Sequence, residues 1–186
     1  MRRVAIVGLA PTTVHEAPWD DPYWEFWCLS WAITRRADRY FEPHSYWATG
    51  GYYPTGKTRE AALEWLSELD APLYMAEEVP ELPHSKAIPW DDMAANTGKA
   101  NGQAQPYMES TIGAMLAMAC LELKPGDKVG LWGVDLDVNG EYAYQRPNAE
   151  YYIGFLRGMG VSVFVPRKSA LLSTAYPEHG RYGIEQ

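Results

Sequence analysis

The chain is short of cysteine, of basic charge and of long apolar runs, and each shortage argues against a class of function. Its two cysteines, Cys28 and Cys120, lie in apolar stretches and form no CxxC pair or Cys/His set. That speaks against a disulfide scaffold or structural zinc and for buried free thiols in a reducing compartment. Lys and Arg number 16 against 24 Asp and Glu, a net charge of −8, and the pI is near 5.0. With no basic stripe to follow a phosphate backbone, nucleic-acid binding is not expected, whereas a small anion held by backbone N–H groups is compatible. No stretch approaches the roughly 20 apolar residues of a membrane span. The opening MRRVAIVGLAP sets two arginines before an apolar run, but Gly8 and Pro11 break it short of a signal-peptide core, so the expected location is the cytoplasm. The GxGxxG fingerprint, the P-loop lysine, internal repeats and low-complexity tracts are all missing.

What is present is enough apolar content for one well-filled core: 186 residues, 47% hydrophobic, suit a single domain. Aromatics are in surplus, with 8 Trp and 13 Tyr, many crowded into PWDDPYWEFWCLSW and SYWATGGYYP. Such side chains serve cores, subunit interfaces and base-stacking platforms alike, and a homo-oligomer is one expectation they raise.

Residues 3–9 form a continuous apolar run ending at a glycine, the pattern of a buried parallel strand. Residues 26–30 and 39–46 read as the next two strands, with a short helical link at 31–37. Thr58 can cap the amphipathic segment TREAALEWLSELD, which puts Ala62, Leu63, Leu66 and Leu69 on one face and ends at Asp70 and Pro72. A strand at 71–76 follows, and the alternation of strand and helix predicts a parallel sheet. At 77–106 the pattern lapses into Pro, acid and small polar residues, which predicts an irregular flap. Helix 107–123 is apolar nearly all round; strand 129–136, helix 149–159 and strand 161–166 complete the series. The expected fold is α/β: a single Rossmann-like domain over 1–175, its mostly parallel sheet flanked by helices, and a C-terminal arm at 176–186.

Ligands of open α/β sheets bind outside the carboxyl ends of the strands, so the loops there hold the candidates. After the first strand, Gly8 permits close backbone approach, and Pro11, Thr12 and Thr13 follow it; the two hydroxyls can reach a phosphate, ribose or base, and a plain β-turn accounts for the same residues. Behind Glu109, Ser110 and Thr111 open the apolar helix, where they can hold an anion at the positive end of the helix or simply cap it. The strand at 129–136 releases Gly133, Asp135, Asp137, Tyr142, Tyr144 and Arg146. The two acids can take Mg²⁺ or ribose hydroxyls, and the tyrosines and Arg146 can donate to a departing phosphate. A turn at Asn139 and Gly140 is the plain alternative, but the density of functional groups at a strand end favours a site. His44, closing RYFEPHSY, is the best placed of four histidines for acid–base work, although a lone histidine is more often structural.

Three segments in order, VAIVGLAPT, FWCLSW, and ESTIGAMLAMACLEL with KVGLWGVDLDVNGEYAY, resemble bacterial sialyltransferases that use a CMP-activated sugar. The likeness is to their first strand and Gly-x-Gly-Pro-Ser loop, their second strand, and their Thr-Ser-Gly helix start with its Gly-Ile-Asp loop. The same scheme is similar to that of 6-hydroxymethylpterin pyrophosphokinases, and GVD…EYAYQRP resembles a phrase of short bacteriophage proteins. The resemblance implies a nucleotide lined by Gly8, Pro11 and Thr12, with Ser30 in the place of the sialyltransferases' Asn. It also implies Ser110 and Thr111 near the ribose or phosphate, and Tyr142 and Tyr144 facing the leaving phosphate. Ala10 stands where that pattern has its second glycine. The function expected is a glycosyltransferase using a CMP- or UDP-linked sugar, with His44, or an acid such as Asp20 or Asp135, as base. The alternatives are a Mg-dependent nucleotidyl or diphosphate transferase, with Asp135 and Asp137 on the metal, and a non-catalytic nucleotide-binding or interaction protein.

Overall fold

Runs such as Val4-Ala5-Ile6-Val7 send side chains alternately to both faces of a strand, so they are stable only where both faces are covered. The computed structural model, which describes residues 1–31, 36–44, 58–97, 107–137, 140 and 142–173, provides that cover. Its strands are β1 (Arg3–Val7), β2 (Glu25–Leu29), β3 (Arg39–Glu42), β4 (Leu73–Met75), β5 (Ser85–Ala87), β6 (Lys128–Trp132) and β7 (Ser162–Phe164). The helices are α1 (Arg59–Ser67), α2 (Trp90–Thr97), α3 (Thr111–Glu122) and α4 (Tyr142–Gly158). The strands form one sheet in the order β5-β4-β3-β2-β1-β6-β7, and every pairing is parallel. The architecture is the α/β, Rossmann-like one that the alternation predicts. No helix among the described residues is long and apolar enough to cross a membrane.

Each face of the sheet has its own core. Val4, Ile6, Trp27, Phe41, Val129 and Leu131 pack with Met93 of α2, Met115 and Leu116 of α3, and Tyr152 and Leu156 of α4. Ala5, Val7, Phe26, Cys28, Tyr40 and Leu73 face the other way, onto Ala62 and Leu66 of α1 and onto Ala17 and Trp19 of the β1–β2 connection. Nine successive residues of α3, from Ile112 to Cys120, are buried, which explains a helix apolar on every side.

The direction of α3 is fixed by charge at its far end. Glu122 bonds Arg2 at 2.8 Å and Arg39 at 2.6 Å, and Glu25 of β2 meets the same two arginines at 2.7 and 2.9 Å. The Arg39 guanidinium also lies 4.7 Å over the Trp27 ring. This network ties the last turn of α3 to the amino ends of β1, β2 and β3, so α3 runs antiparallel to the strands and its first turn lies at their carboxyl ends. Burial pushes the Glu122 carboxyl up, but hydrogen bonds and charge from Arg39 and Arg2 outweigh it and leave the group below its ordinary value.

Several boundaries differ from the sequence-based expectation: β6 stops at Trp132 rather than 136, and α3 starts at Thr111, where Ser110 caps it, rather than at 107. β3 stops at Glu42 and leaves out Pro43 and His44 of the expected 39–46, because Pro43 has no N–H for the ladder. The stretch 77–106, expected as an irregular flap, holds β5 and α2. β5 is a three-residue edge strand with no apolar run, and α2 turns only Met93, Ala94 and Thr97 inward, so neither announces itself by periodicity. Helix α4 begins at Tyr142, seven residues before the expected 149, and runs through Pro147. The missing N–H of Pro147 forfeits one bond near the helix start, and the Arg146–Glu150 pair at 2.9 Å supports the same turns. Most of the expected link at 31–37, residues 45–46 of the expected third strand, residues 98–106 of the expected flap and the whole arm at 176–186 lie outside the described residues.

Because the folded-state value of Glu122 is depressed, its contribution to stability is complete above the ordinary carboxylate range and is lost as pH falls through the depressed value. Glu122→Gln should therefore cost about 1–3 kcal/mol at pH 7 and flatten the acid limb of a urea-unfolding series. An unchanged midpoint at pH 7 would refute the account of the network.

Candidate functional site

The chain leaves β1 toward β2 and leaves β6 toward β7, on opposite sides, so the topological switch point lies between β1 and β6. Their two loops are stitched together there. Gly8 N–H donates to the Trp132 carbonyl and Ala10 N–H to the Gly133 carbonyl, both at 2.8 Å. Gly133 N–H donates to the buried Thr13 hydroxyl at 2.9 Å. A Cβ on Gly8 would stand 2.3 Å from the Gly133 oxygen, and one on Gly133 would stand 2.6 Å from the Gly8 oxygen at a φ of +66°. Both glycines thus serve the approach of one loop to the other. The Thr12 hydroxyl donates to Asp135 Oδ2 at 2.6 Å. Asp135 Oδ1 is buried with no hydrogen-bond partner, and Leu136 follows it at a φ of +45°, a conformation that side chains other than glycine seldom adopt. Pro11 lies exposed on the outside of the first loop.

A second group of candidates meets at a cleft. A cavity of about 220 Å³ is lined by Pro43 and His44 after β3, Trp90 at the start of α2, and Met108, Glu109, Ser110, Thr111 and Ala114 at the start of α3. Ser110 caps α3, its Oγ accepting from Gly113 N–H at 2.9 Å, and Thr111 is the first helical residue. Trp90 is anchored by its Nε1, which donates to the Ala76 carbonyl at 3.0 Å. On the opposite wall, His44 Nδ1 is hydrogen-bonded to Glu42 Oε1. Glu42 is buried, and its Oε2 accepts from Ser30 Oγ and from Trp31 Nε1, both at 2.5 Å.

The first turn of α3 is held from behind. The carboxamide of buried Asn148 donates to the Tyr107 carbonyl and accepts from Glu109 N–H at 3.3 Å; Tyr152 Oη donates to the Tyr107 carbonyl at 2.8 Å. Gly113 leaves the room this needs, since a Cβ there would stand 2.0 Å from Asn148 Oδ1.

The candidates named from sequence thus fall into separate groups. His44, Ser110 and Thr111 share the cleft, while Gly8, Thr12, Thr13, Gly133 and Asp135 share the switch point. Ser30 is buried with its hydroxyl turned to Glu42. Tyr142 and Tyr144 stand on the first turn of α4 and are exposed. Arg146 bonds Glu150 and the Ser173 carbonyl, so its guanidinium fastens the chain after β7. Glu42 was missed, although the signal was available: an acid and a histidine two apart at a strand end project to the same side.

Chemically, the cleft offers a proton carrier beside an anion-friendly helix terminus. With Nδ1 engaged by a carboxylate, the remaining His44 nitrogen, Nε2, is the one that can exchange a proton. The unsatisfied N–H groups of α3 favour negative charge. Neither cysteine competes as a nucleophile, because burial pushes both thiols up to about 12. Among the described residues no three His, Cys, Asp or Glu side chains are grouped to hold a metal ion. Comparisons with protein-family models, with curated proteins and with solved structures find no match.

Gly113→Ala forces a clash and Asn148→Ala removes the acceptor of the Glu109 N–H and one of the two donors to the Tyr107 carbonyl, so each should lower stability by about 2–4 kcal/mol. The clash needs the Asn148 oxygen, so the double variant should lose less than the sum of the singles, by at least about 0.5 kcal/mol. Strict additivity in denaturant titrations would contradict the packing described.

Proposed function

We propose that the chain is a nucleotide-dependent transferase of glycosyltransferase type, working at the cleft between β3 and α3. The observation that carries this reading is the placement of His44, backed by buried Glu42, opposite the Ser110–Thr111 terminus of α3. In this reading the phosphate of a nucleotide-sugar lies against the α3 terminus, and Trp90 and Met108 give the adjoining group an apolar wall. His44 Nε2 takes the proton from an acceptor hydroxyl as its oxygen attacks the anomeric carbon. The bond from that carbon to the phosphate oxygen breaks, and the nucleotide leaves with the electron pair. About 220 Å³ is below the roughly 300–1,000 Å³ of typical small-molecule pockets. The cleft therefore suits the phosphate and the group next to it, with the rest of the donor across its mouth. The resemblance of the segment around Ser110 to the helix start of sialyltransferases supports a CMP- or UDP-linked sugar as that donor.

One observation favours a second reading, a Mg-dependent nucleotidyl or diphosphate transferase. The buried Oδ1 of Asp135 has no donor, and a divalent cation is one partner that satisfies such an oxygen.

The readings separate in a thermal-shift panel of nucleotides and nucleotide-sugars with Mg²⁺ or with EDTA. A ligand that binds only the folded chain at 100 times its Kd adds about 2.7 kcal/mol of stability. The first reading predicts a shift by a CMP- or UDP-sugar that survives EDTA, with His44→Gln keeping the shift and losing transfer. A shift abolished by EDTA and by Asp135→Asn favours the second. Binding by the unaltered chain without turnover leaves a nucleotide-binding protein that is no enzyme, and silence across the panel defeats both transferase readings and leaves a non-catalytic interaction protein.

A further inference from the structure

The buried carboxylate of Glu42 calls for an explanation, because an ionised group withdrawn from water is costly unless it is well bonded. Among the described residues its bonds come from the end of β2 and from His44. Ser30 Oγ and Trp31 Nε1, at and just beyond the end of β2, both donate to Oε2, and Trp31 is itself stacked on Trp65 of α1 with ring centroids 4.0 Å apart. Oε1 is turned to His44 Nδ1. The carboxylate is therefore oriented by groups that do not titrate near neutrality, whether or not the imidazole carries a second proton.

We propose that Glu42 is the positioning residue of this site: clamped by Ser30 and Trp31, it fixes His44 as the Nδ1–H tautomer, so that Nε2 exchanges the proton in the cleft. The use of that proton in transfer rests on the transferase reading; the tautomer and its cause do not. Among the described residues, two acids face the imidazole environment, Glu42 from β3 and Glu109 from the start of α3 on the cleft wall. Both favour the imidazolium by charge, and the hydrogen bond from Glu42 to Nδ1 selects the tautomer. A carboxylate bonded to one nitrogen strengthens the other as a base, and the acceptor proton then has one defined destination.

The test is a pH series of ¹⁵N–¹H long-range correlation spectra on the full chain with ¹⁵N-labelled histidine. The four histidines are sorted by the signals that vanish in His44→Gln. His44 should appear as the Nδ1–H tautomer when neutral and should titrate at a higher pH than in Glu42→Gln, by about one unit or more. In that variant the ring should revert toward the Nε2–H form usual for free imidazole, whereas Glu109→Gln should leave the tautomer unchanged. An Nε2–H tautomer in the unaltered protein overturns the proposal without any variant having to fold, and so does a folded Glu42→Gln protein with an unchanged His44 titration and tautomer. No substrate is involved, so the expected titration beside a silent nucleotide panel would sink the transferase reading alone. A productive panel beside an Nε2–H His44 would sink only the role of Glu42.

Discussion

Burial of α3 against the parallel sheet is the constraint on which the rest of the molecule depends. The helix is about 18 Å long at 1.5 Å per residue, long enough to span the sheet from one end of its strands to the other. Its Glu122 end is tied to Arg2 and Arg39 where the strands begin. The Ser110 end must then emerge where β3 delivers Glu42 and His44. Nine consecutive buried residues hold it there by apolar contact, and Asn148 and Tyr152 of α4 supply the polar bonds that its entry needs. The cleft is thus a consequence of packing that extends over much of one face of the sheet.

The switch point, where ligands of open α/β sheets are usually sought, is filled differently. Gly8 and Gly133 bring two backbones into direct contact, with Thr13 beneath them. The glycine freedom that elsewhere admits a phosphate here admits the neighbouring loop. What that region retains is the Thr12–Asp135 pair and the unsatisfied Asp135 oxygen. A cleft lies two strands away, after β3, and it combines an apolar wall, a helix terminus and a carboxylate-backed histidine.

Legibility in the sequence followed the energetics. The inner strands and α3 were plain because burial on both faces demands unbroken apolar runs, and Ser110 was plain because capping needs a short polar side chain. β5 and α2 were not, since an edge strand and a shallow helix bury too little to impose a period. Pro147 concealed the first turns of α4, whose support comes from Arg146, Glu150 and the distant Ser173 carbonyl. His44, Ser110 and Thr111 were each legible singly, but their meeting depends on the crossing of α3 over β3, which no local pattern encodes. Glu42 carried a local signal, its place two residues before His44, but its clamp by Ser30 and Trp31 lies across the strand pair, where no local pattern shows it.

The most direct test of the central claim, that the cleft rather than the switch point receives the ligand, is amide and imidazole chemical-shift mapping on the labelled chain during titration with a CMP- or UDP-sugar. The account predicts that the largest changes fall on the amides of Ser110 to Gly113 and on the His44 ring. Changes concentrated at residues 8–13 and 133–137, with the first turn of α3 undisturbed, would contradict it.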